Sequence, residues 1–470
     1  MSTMFDQDTI AAISSGLTES GIGIVRISGP ESYRIAGDIF RNGKSEPVDL
    51  SEPNRVRHGY IRSADGKGAS LDEVLLLNMK APHSYTGEDT IEIDCHGGVL
   101  MMKRVLETVL NAGARLADPG EFTKRAFLNG RIDLAQAEAV IDVINAKNDN
   151  AIRASVEQLK GNMSEAVRKL REEILEKTAY IEAALDDPEH YSLEREWREE
   201  LEAQLGLLQK ELERLIASYQ SGKLIREGIR TVIIGKPNAG KSSLLNAMLG
   251  EERAIVTQIP GTTRDTISES ISLGNLTLHL MDTAGIRKTD DLVEQIGVER
   301  ALQSAEKADL VLCVIDASAP LDQSDREILS YIQHQPVRTL FLLNKSDLDT
   351  VVQAEEILGS MPEDKRDFLV ISALQGSGIR ELTEYIENMF SLGEISYNDE
   401  VIVSSLRHVE LLKQAHASLA AVTESIRMEM PEDFYTVDLM DAYRALGQII
   451  GASVEDDLVN EIFGKFCMGK

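Results

Sequence analysis

The chain has 470 residues, 43% of them hydrophobic, and a formal net charge of −29. That length predicts about three domains with ample cores, and the acidity excludes indiscriminate polyanion binding, which needs clustered Lys and Arg to release counterions. Only Cys95, Cys313 and Cys467 occur, far apart and without Cys-x-x-Cys spacing, which excludes a disulfide framework and a cysteine zinc site. The opening MSTMFDQDTIAAISSG lacks a basic segment ahead of an apolar core. No apolar run reaches the ~18 residues of a membrane span. A soluble, cytoplasmic protein without membrane contact is expected.

Residues 1–120 read as a mixed α/β domain. GIGIVRIS (21–28), DEVLLLNM (72–79) and DTIEIDCHGG (89–98) are β-rich runs bounded by Gly, Pro and Ser. VLMMKRVLETVLNAG carries apolar residues at helical spacing and ends on a glycine. SYTGEDTIEI is a turn entering a strand, with Glu88 near an exposed loop. Arg26 is a lone charge in an otherwise apolar strand; it either points to water, the plainer reading, or anchors an anionic small molecule.

Residues 121–222 turn helical. Leu159, Met163, Ala166, Leu170, Ile174, Ile181 and Leu185 keep to one helix face, and after DDPEHYS a second stripe runs through Leu201, Leu205, Leu208, Leu212 and Leu215. Helical pattern resumes across 393–470, so a bundle interrupted by an inserted α/β unit at 223–392 is expected. Insertion suits domain termini that lie close together.

That inserted unit opens with TVIIGKPNAGKSSLLNAMLG, a β-branched run, a glycine turn and an amphipathic run. Strand, G-x-x-x-x-G-K-S turn and helix are the context of a phosphate-binding loop. Gly235 and Gly240 let backbone N–H groups turn inward, Lys241 reaches the outer phosphates, and Ser242 offers its hydroxyl to Mg²⁺. Asn238, Ala239 and Ser243 complete the loop. Thr257, Gln258, Ile259, Pro260, Gly261, Thr262 and Thr263 form a Thr-rich loop of the kind that senses a γ-phosphate, with Thr263 the second Mg²⁺ hydroxyl. Asp282 ends an apolar strand, where such acids support Mg²⁺, and Thr283, Ala284 and Gly285 follow. Asn344, Lys345 and Asp347 form N-K-x-D; a carboxylate there accepts both N–H donors of the guanine edge, which adenine does not offer. Ser372 and Ala373 complete the base pocket through a backbone N–H. In this order the motifs specify GTP. The residue after DTAG is Ile286, where Ras-type enzymes carry a water-orienting glutamine, so another group must serve.

Together with DTIAAI, GIGIVRISG, SYTGEDTIEI, HGG, PGEFTKRAFLNGRIDLAQAEAV and the terminal FCMGK, these motifs resemble the TrmE/MnmE family of tRNA-modification GTPases over nearly the full chain. The resemblance implies a homodimer built through N-terminal domains, with a site for a 5-formyl-tetrahydrofolate-type cofactor lined by Arg26, Glu88, Arg131 and Lys470, and Cys467 close by. It implies an FAD-dependent flavoprotein partner of the GidA/MnmG type, in a heterotetramer, that joins in building an aminomethyl-type (carboxymethylaminomethyl) group on carbon 5 of the wobble uridine of certain tRNAs. It also implies that Glu294 orients the attacking water and that K⁺, held by Asn238, Thr257, Ile259 and Thr262, stands where other GTPases receive an arginine finger. The family's common Pro-Pro-Gly loop reads SSGLTESG here, and its usual Asn-Ala-Arg-His reads SSLRH, retaining Arg407 and His408.

Overall fold

Alternation of buried and outward residues along Ile22–Ser28, Ser70–Met79 and Thr90–His96, most regular in the second, builds the first sheet. The structure, a computed structural model, describes residues 8–62, 69–187, 195–250, 269–273, 276–281, 305–359, 361–363, 366–390, 401–452, 459, 462–464, 466 and 469. The N-terminal part runs β1 (Ile10–Ile13), β2 (Ile22–Ser28), α1 (Ser32–Ile39), β3 (Phe40–Arg41), β4 (Arg55–Arg62), β5 (Ser70–Met79), β6 (Thr90–His96), α2 (Val99–Asn111), β7 (Arg115–Leu116) and α3 (Glu121–Leu128). Among the described residues these strands form one sheet in the order β3-β4-β5-β6-β2-β1-β7, antiparallel except for β1 with β7. Val25 and Ile27 of β2, Leu76 of β5 and Ile91 and Ile93 of β6 face one way and pack with Ile35, Ala36, Met102, Val105 and Val109 of α1 and α2. β4, RVRHGYIR, was not legible in the sequence because its first four residues include no buried position and alternation begins only at Gly59. Gly59 within it is required by crowding: a Cβ there would stand 2.3 Å from the Arg41 carbonyl oxygen.

Helices α4 (Leu134–Asn145), α5 (Asp149–Lys160), α6 (Asn162–Asp186), α7 (Arg195–Ala217) and α8 (Tyr219–Glu227) follow. The apolar stripe expected on one continuous helix is split, because Gly161 (φ +100°) ends α5 and restarts the chain as α6. Met163, Val167, Leu170, Ile174 and Ile181 are buried, while Leu185, expected on the same face, is 43% exposed. The α7 stripe is as expected: Leu201, Leu205, Leu208, Leu212 and Leu215 are all buried.

Beyond α8 come β8 (Ile229–Ile234), α9 (Lys241–Gly250), β9 (Glu269–Leu273), β10 (Leu276–Leu280), β11 (Leu310–Asp316), α10 (Gln323–Gln333), β12 (Arg338–Asn344), α11 (Ala354–Leu358), β13 (Phe368–Val370) and α12 (Ile379–Met389). The sheet order is β13-β12-β11-β8-β10-β9, parallel except for the β9–β10 hairpin. Every residue of β11 is buried, as a central parallel strand covered on both faces requires. Helices α13 (Leu406–Arg427) and α14 (Asp433–Ile450) close the order.

The chain divides into two compact units. One comprises Met1–Ile141, Gln158–Ala183 and Leu439–Lys470, the other Asp142–Glu157 and Ala184–Asp438. In the first, Phe463 and Phe466 pack with Ala126, Ile132 and Leu134. In the second, α7 lies along α13, cross-linked by Arg427 to Glu202 at 2.8 Å and Gln209 to Thr423 at 3.3 Å. No described helix is long and apolar enough to cross a membrane.

Candidate functional site

The strand–turn–helix expected around the glycine turn is present. β8 delivers the chain into residues 235–240, and α9 begins at Lys241. A Cβ at Gly235 would stand 2.4 Å from the Val314 carbonyl oxygen, so only glycine lets the turn lie this close to β11. Gly240 adopts φ +101° and its backbone abuts the Asn344 amide. Asn238 also takes the left-handed region, φ +62°, which asparagine tolerates better than most residues. These two left-handed settings stand directly ahead of a helix N-terminus, where a glycine loop can receive a polyphosphate on its backbone N–H groups. Lys241 Nζ lies 2.8 Å from the carbonyl oxygens of both Gly235 and Lys236, folded along the loop it serves.

The base pocket is assembled from the ends of β12 and β13. Asn344 Nδ2 donates to the Ala239 carbonyl at 2.8 Å, tying the pocket to the phosphate loop. Asn344 Oδ1 accepts the Ala373 N–H at 2.9 Å, so the amide expected to meet a base oxygen is here directed at Asn344. Ser372 Oγ donates to Asp347 Oδ1 at 2.5 Å and orients that carboxylate. Lys345, at φ +68°, pairs with Asp316 Oδ2 at 2.5 Å. A lysine in the left-handed region is a local strain of about 1–3 kcal/mol that the surrounding contacts must offset. Burial pushes the Asp316 carboxyl up, but Lys345 and Ser318 outweigh it and hold the group below its ordinary value.

Sequence reading missed Lys236 as a structural member of this site. Its Nζ pairs with Asp325 at 2.6 Å and Asp322 at 3.0 Å, the two carboxylates of the capping box at the start of α10. Burial lowers the Lys236 pKa, yet the two aspartates more than reverse that. Asp325 is 3% exposed, so Asp325→Ala is expected to lower the unfolding free energy measured in urea by about 3 kcal/mol, the low end for a broken buried pair, because Asp322 remains. A change below ~0.5 kcal/mol, typical of surface sites, would remove Lys236 from that anchoring role.

In the first unit a separate cluster forms around Tyr85. Arg26 does not point to water: its side chain is 13% exposed and its Nε donates to Glu92 at 2.7 Å. The guanidinium lies 5.1 Å from the Tyr85 ring centroid and 5.6 Å from that of Phe122. Arg131 lies 5.1 Å from the same Tyr85 ring and donates to its backbone carbonyl at 2.9 Å. Glu88 accepts from Ser28 Oγ at 2.8 Å and faces Arg125 at 3.3 Å. Arg125, which the sequence did not single out, is buried and also pairs with Asp8 and Glu121. The tail reaches this unit, since the Gly469 carbonyl accepts Ser14 Oγ at 2.9 Å.

The remaining sequence-assigned residues lie outside the described residues: Thr257, Gln258, Ile259, Pro260, Gly261, Thr262, Thr263, Asp282, Thr283, Ala284, Gly285, Glu294, Cys467 and Lys470. The other two thiols are poor nucleophiles. Burial pushes Cys95 up to about 11 and raises Cys313 further.

Residues 9–131 match the family model described as the GTP-binding protein TrmE N-terminus, and residues 134–467 match that of the MnmE helical domain. The tRNA modification GTPase MnmE of Lachnoclostridium phytofermentans is 56% identical over 467 residues, covering 98% of this chain and 99% of that protein. The protein of the same name from Clostridioides difficile is 46% identical, covering 99% and 100%, and that from Bacillus subtilis 43% identical, covering 98% and 100%. A crystal structure of Aquifex aeolicus Era is 29% identical, covering 40% of this chain and 66% of that one, at a TM-score of 0.26. Identity of this extent along two nearly complete chains, with the phosphate loop and base pocket in place, means that the chain belongs to the MnmE (TrmE) family of tRNA modification GTPases.

Proposed function

We propose that this GTPase couples GTP hydrolysis to modification of carbon 5 of the wobble uridine in certain tRNAs, as a homodimer working with an FAD-dependent flavoprotein of the GidA/MnmG type. The observation that carries the proposal is the presence, in one chain, of a guanine-type base pocket and a separate arginine–tyrosine–carboxylate cluster. The flavoprotein would bring the positive charge for tRNA that a chain of net charge −29 lacks.

The residues present fit the implied groups. Asp347 would accept the guanine N–H donors with Ser372 fixing its carboxylate, while Asn344 ties the base pocket to the phosphate loop through the Ala239 carbonyl. Ser242 at the start of α9 and Thr263 would hold Mg²⁺, which neutralises phosphate charge, with Asp282 in support. Asn238, held outward in the left-handed region, would offer its side-chain oxygen to K⁺ along with Thr257, Ile259 and Thr262. Near Tyr85, Arg26 and Arg131 suit the carboxylates of a folate and Glu88 suits the N–H edge of its pterin, while Lys470 follows the anchored Gly469. A folate there would supply a one-carbon unit.

Nucleoside analysis of tRNA from cells lacking the protein tests this reading; an unchanged wobble uridine would overturn it. Complementation adds a sharper result. Cys467→Ser is expected to hydrolyse GTP normally but leave the modification absent, and normal modification would show the thiol to be dispensable.

A further inference from the structure

Four buried hydroxyls meet at Glu88, in the turn 84–90 that leads into β6. Ser84 Oγ donates to the Glu88 carbonyl at 2.6 Å, and Thr90 Oγ1 donates to the same carbonyl at 3.2 Å. Thr86 Oγ1 accepts the Glu88 N–H at 3.2 Å, and Ser28 Oγ of β2 donates to Glu88 Oε2 at 2.8 Å. Ser28 and Thr86 lie 2.7 Å apart, so the Thr86 hydroxyl can donate to Ser28 while Ser28 donates onward to the carboxylate. Ser28, Thr86 and Thr90 are 0% exposed and Ser84 is 8% exposed. Burying four hydroxyls in one place is costly unless each is partnered, and here the partners are one another and Glu88. Both the backbone and the side chain of Glu88 are thereby fixed.

Arg125 of α3 supplies the charge. Its Nη1 lies 3.3 Å from Glu88 Oε2 and 3.4 Å from Oε1. The same guanidinium donates to the Asp8 carboxylate at 2.7 Å and to Glu121 at 3.1 Å. Those two carboxylates have a second cation, since Arg115 meets Asp8 at 2.5 Å and Glu121 at 2.6 Å. Among the described residues Glu88 has no second one. Removing the Arg125 charge therefore leaves Asp8 and Glu121 paired and falls chiefly on Glu88. Of the two Glu88 oxygens, Oε2 takes the Ser28 hydroxyl, whereas Oε1 has only the long Arg125 contact among the described residues. Oε1 thus keeps lone pairs for an incoming N–H donor, on a carboxylate whose direction is already set before a ligand arrives.

We propose that Ser28 and Arg125 are positioning residues for the folate of the proposed function, fixing Glu88 to accept the N–H donors of the pterin ring. The inference rests on that folate reading. Hydrogen bonds to a charged acceptor set its scale: Glu88→Gln is expected to weaken binding of 5-formyl-tetrahydrofolate by ~10–100-fold, and Ser28→Ala and Arg125→Met by ~10-fold each.

The test is equilibrium dialysis of 5-formyl-tetrahydrofolate against the full-length chain, with the melting midpoint measured beside it. Ser28→Ala and Arg125→Met are each made alone and combined with Glu88→Gln, and Arg125→Lys is added. Each combination is expected to bind within about twofold of Glu88→Gln alone, because residues that act through Glu88 have nothing left to position. A merely structural role would instead weaken binding again in the Glu88→Gln background. Arg125→Lys, which keeps a cation beside Glu88, should recover most of the affinity lost in Arg125→Met. Ser28→Ala keeps the test open should Arg125→Met fail to fold, since Thr86 Oγ1 still has Thr90 Oγ1 at 3.3 Å. Wild-type affinity in Ser28→Ala or Arg125→Met, losses that multiply with Glu88→Gln, or an Arg125→Lys as weak as Arg125→Met would each overturn the proposal. A wild-type chain that binds no 5-formyl-tetrahydrofolate would defeat the folate reading itself.

Discussion

Asp347→Asn is expected to weaken GTP binding by ~10²-fold or more while raising affinity for xanthosine triphosphate. A carboxylate at this place in N-K-x-D can accept both N–H donors of the guanine edge, and each charge-assisted bond contributes about 1.5–3 kcal/mol. An amide in its place presents a donor where guanine also presents donors, whereas the xanthine edge offers an oxygen that matches it. Ser372, 2.5 Å from Asp347, can rotate its hydroxyl to serve either group, so the fold should tolerate the change. Competition between GTP and xanthosine triphosphate in equilibrium binding checks it. GTP affinity equal to wild type would remove Asp347 from the base pocket.

Glu294→Ala is expected to leave GTP affinity nearly unchanged while kcat falls by ~10²–10⁴, the range for a group that positions or activates water. Ile286 cannot hydrogen-bond that water, and the resemblance assigns the task to Glu294. The same reaction should slow when Na⁺ replaces K⁺ at equal ionic strength, because a smaller ion would be under-coordinated in the K⁺ site proposed for Asn238, Thr257, Ile259 and Thr262. Asn238→Ala should abolish most of that ion dependence and leave Mg²⁺ binding intact. Equal wild-type rates in KCl and NaCl would dismiss the potassium mechanism, and an active Glu294→Ala would dismiss the glutamate.

Sequence alone determined the nucleotide unit. Its motifs carry their geometry with them: Gly235 and Gly240 are needed because no Cβ fits, and Asn344 and Asp347 stand at a strand end because the apolar run before them is buried. Periodicity likewise specified β2, β5, β6, α2 and the α7 stripe, since burial of one face repeats locally every two or about 3.6 residues. What failed locally was β4, whose alternation begins only at Gly59, and the single long helix that Gly161 divides.

Only the tertiary structure decided the pairings that periodicity does not encode. Arg26 is an apolar-strand charge in the sequence, yet Glu92, 66 positions away, and the rings of Tyr85 and Phe122 make its burial tolerable. Arg125 looks like one more helix-surface arginine until strand order brings Asp8, 117 positions distant, against it. Lys236 gains Asp325, and Asn148 gains Thr277, in the same way. The reason is physical: a buried charge or amide is stable only if a partner meets it. Which partner does so depends on how the sheets order their strands, and no local window of sequence contains that order.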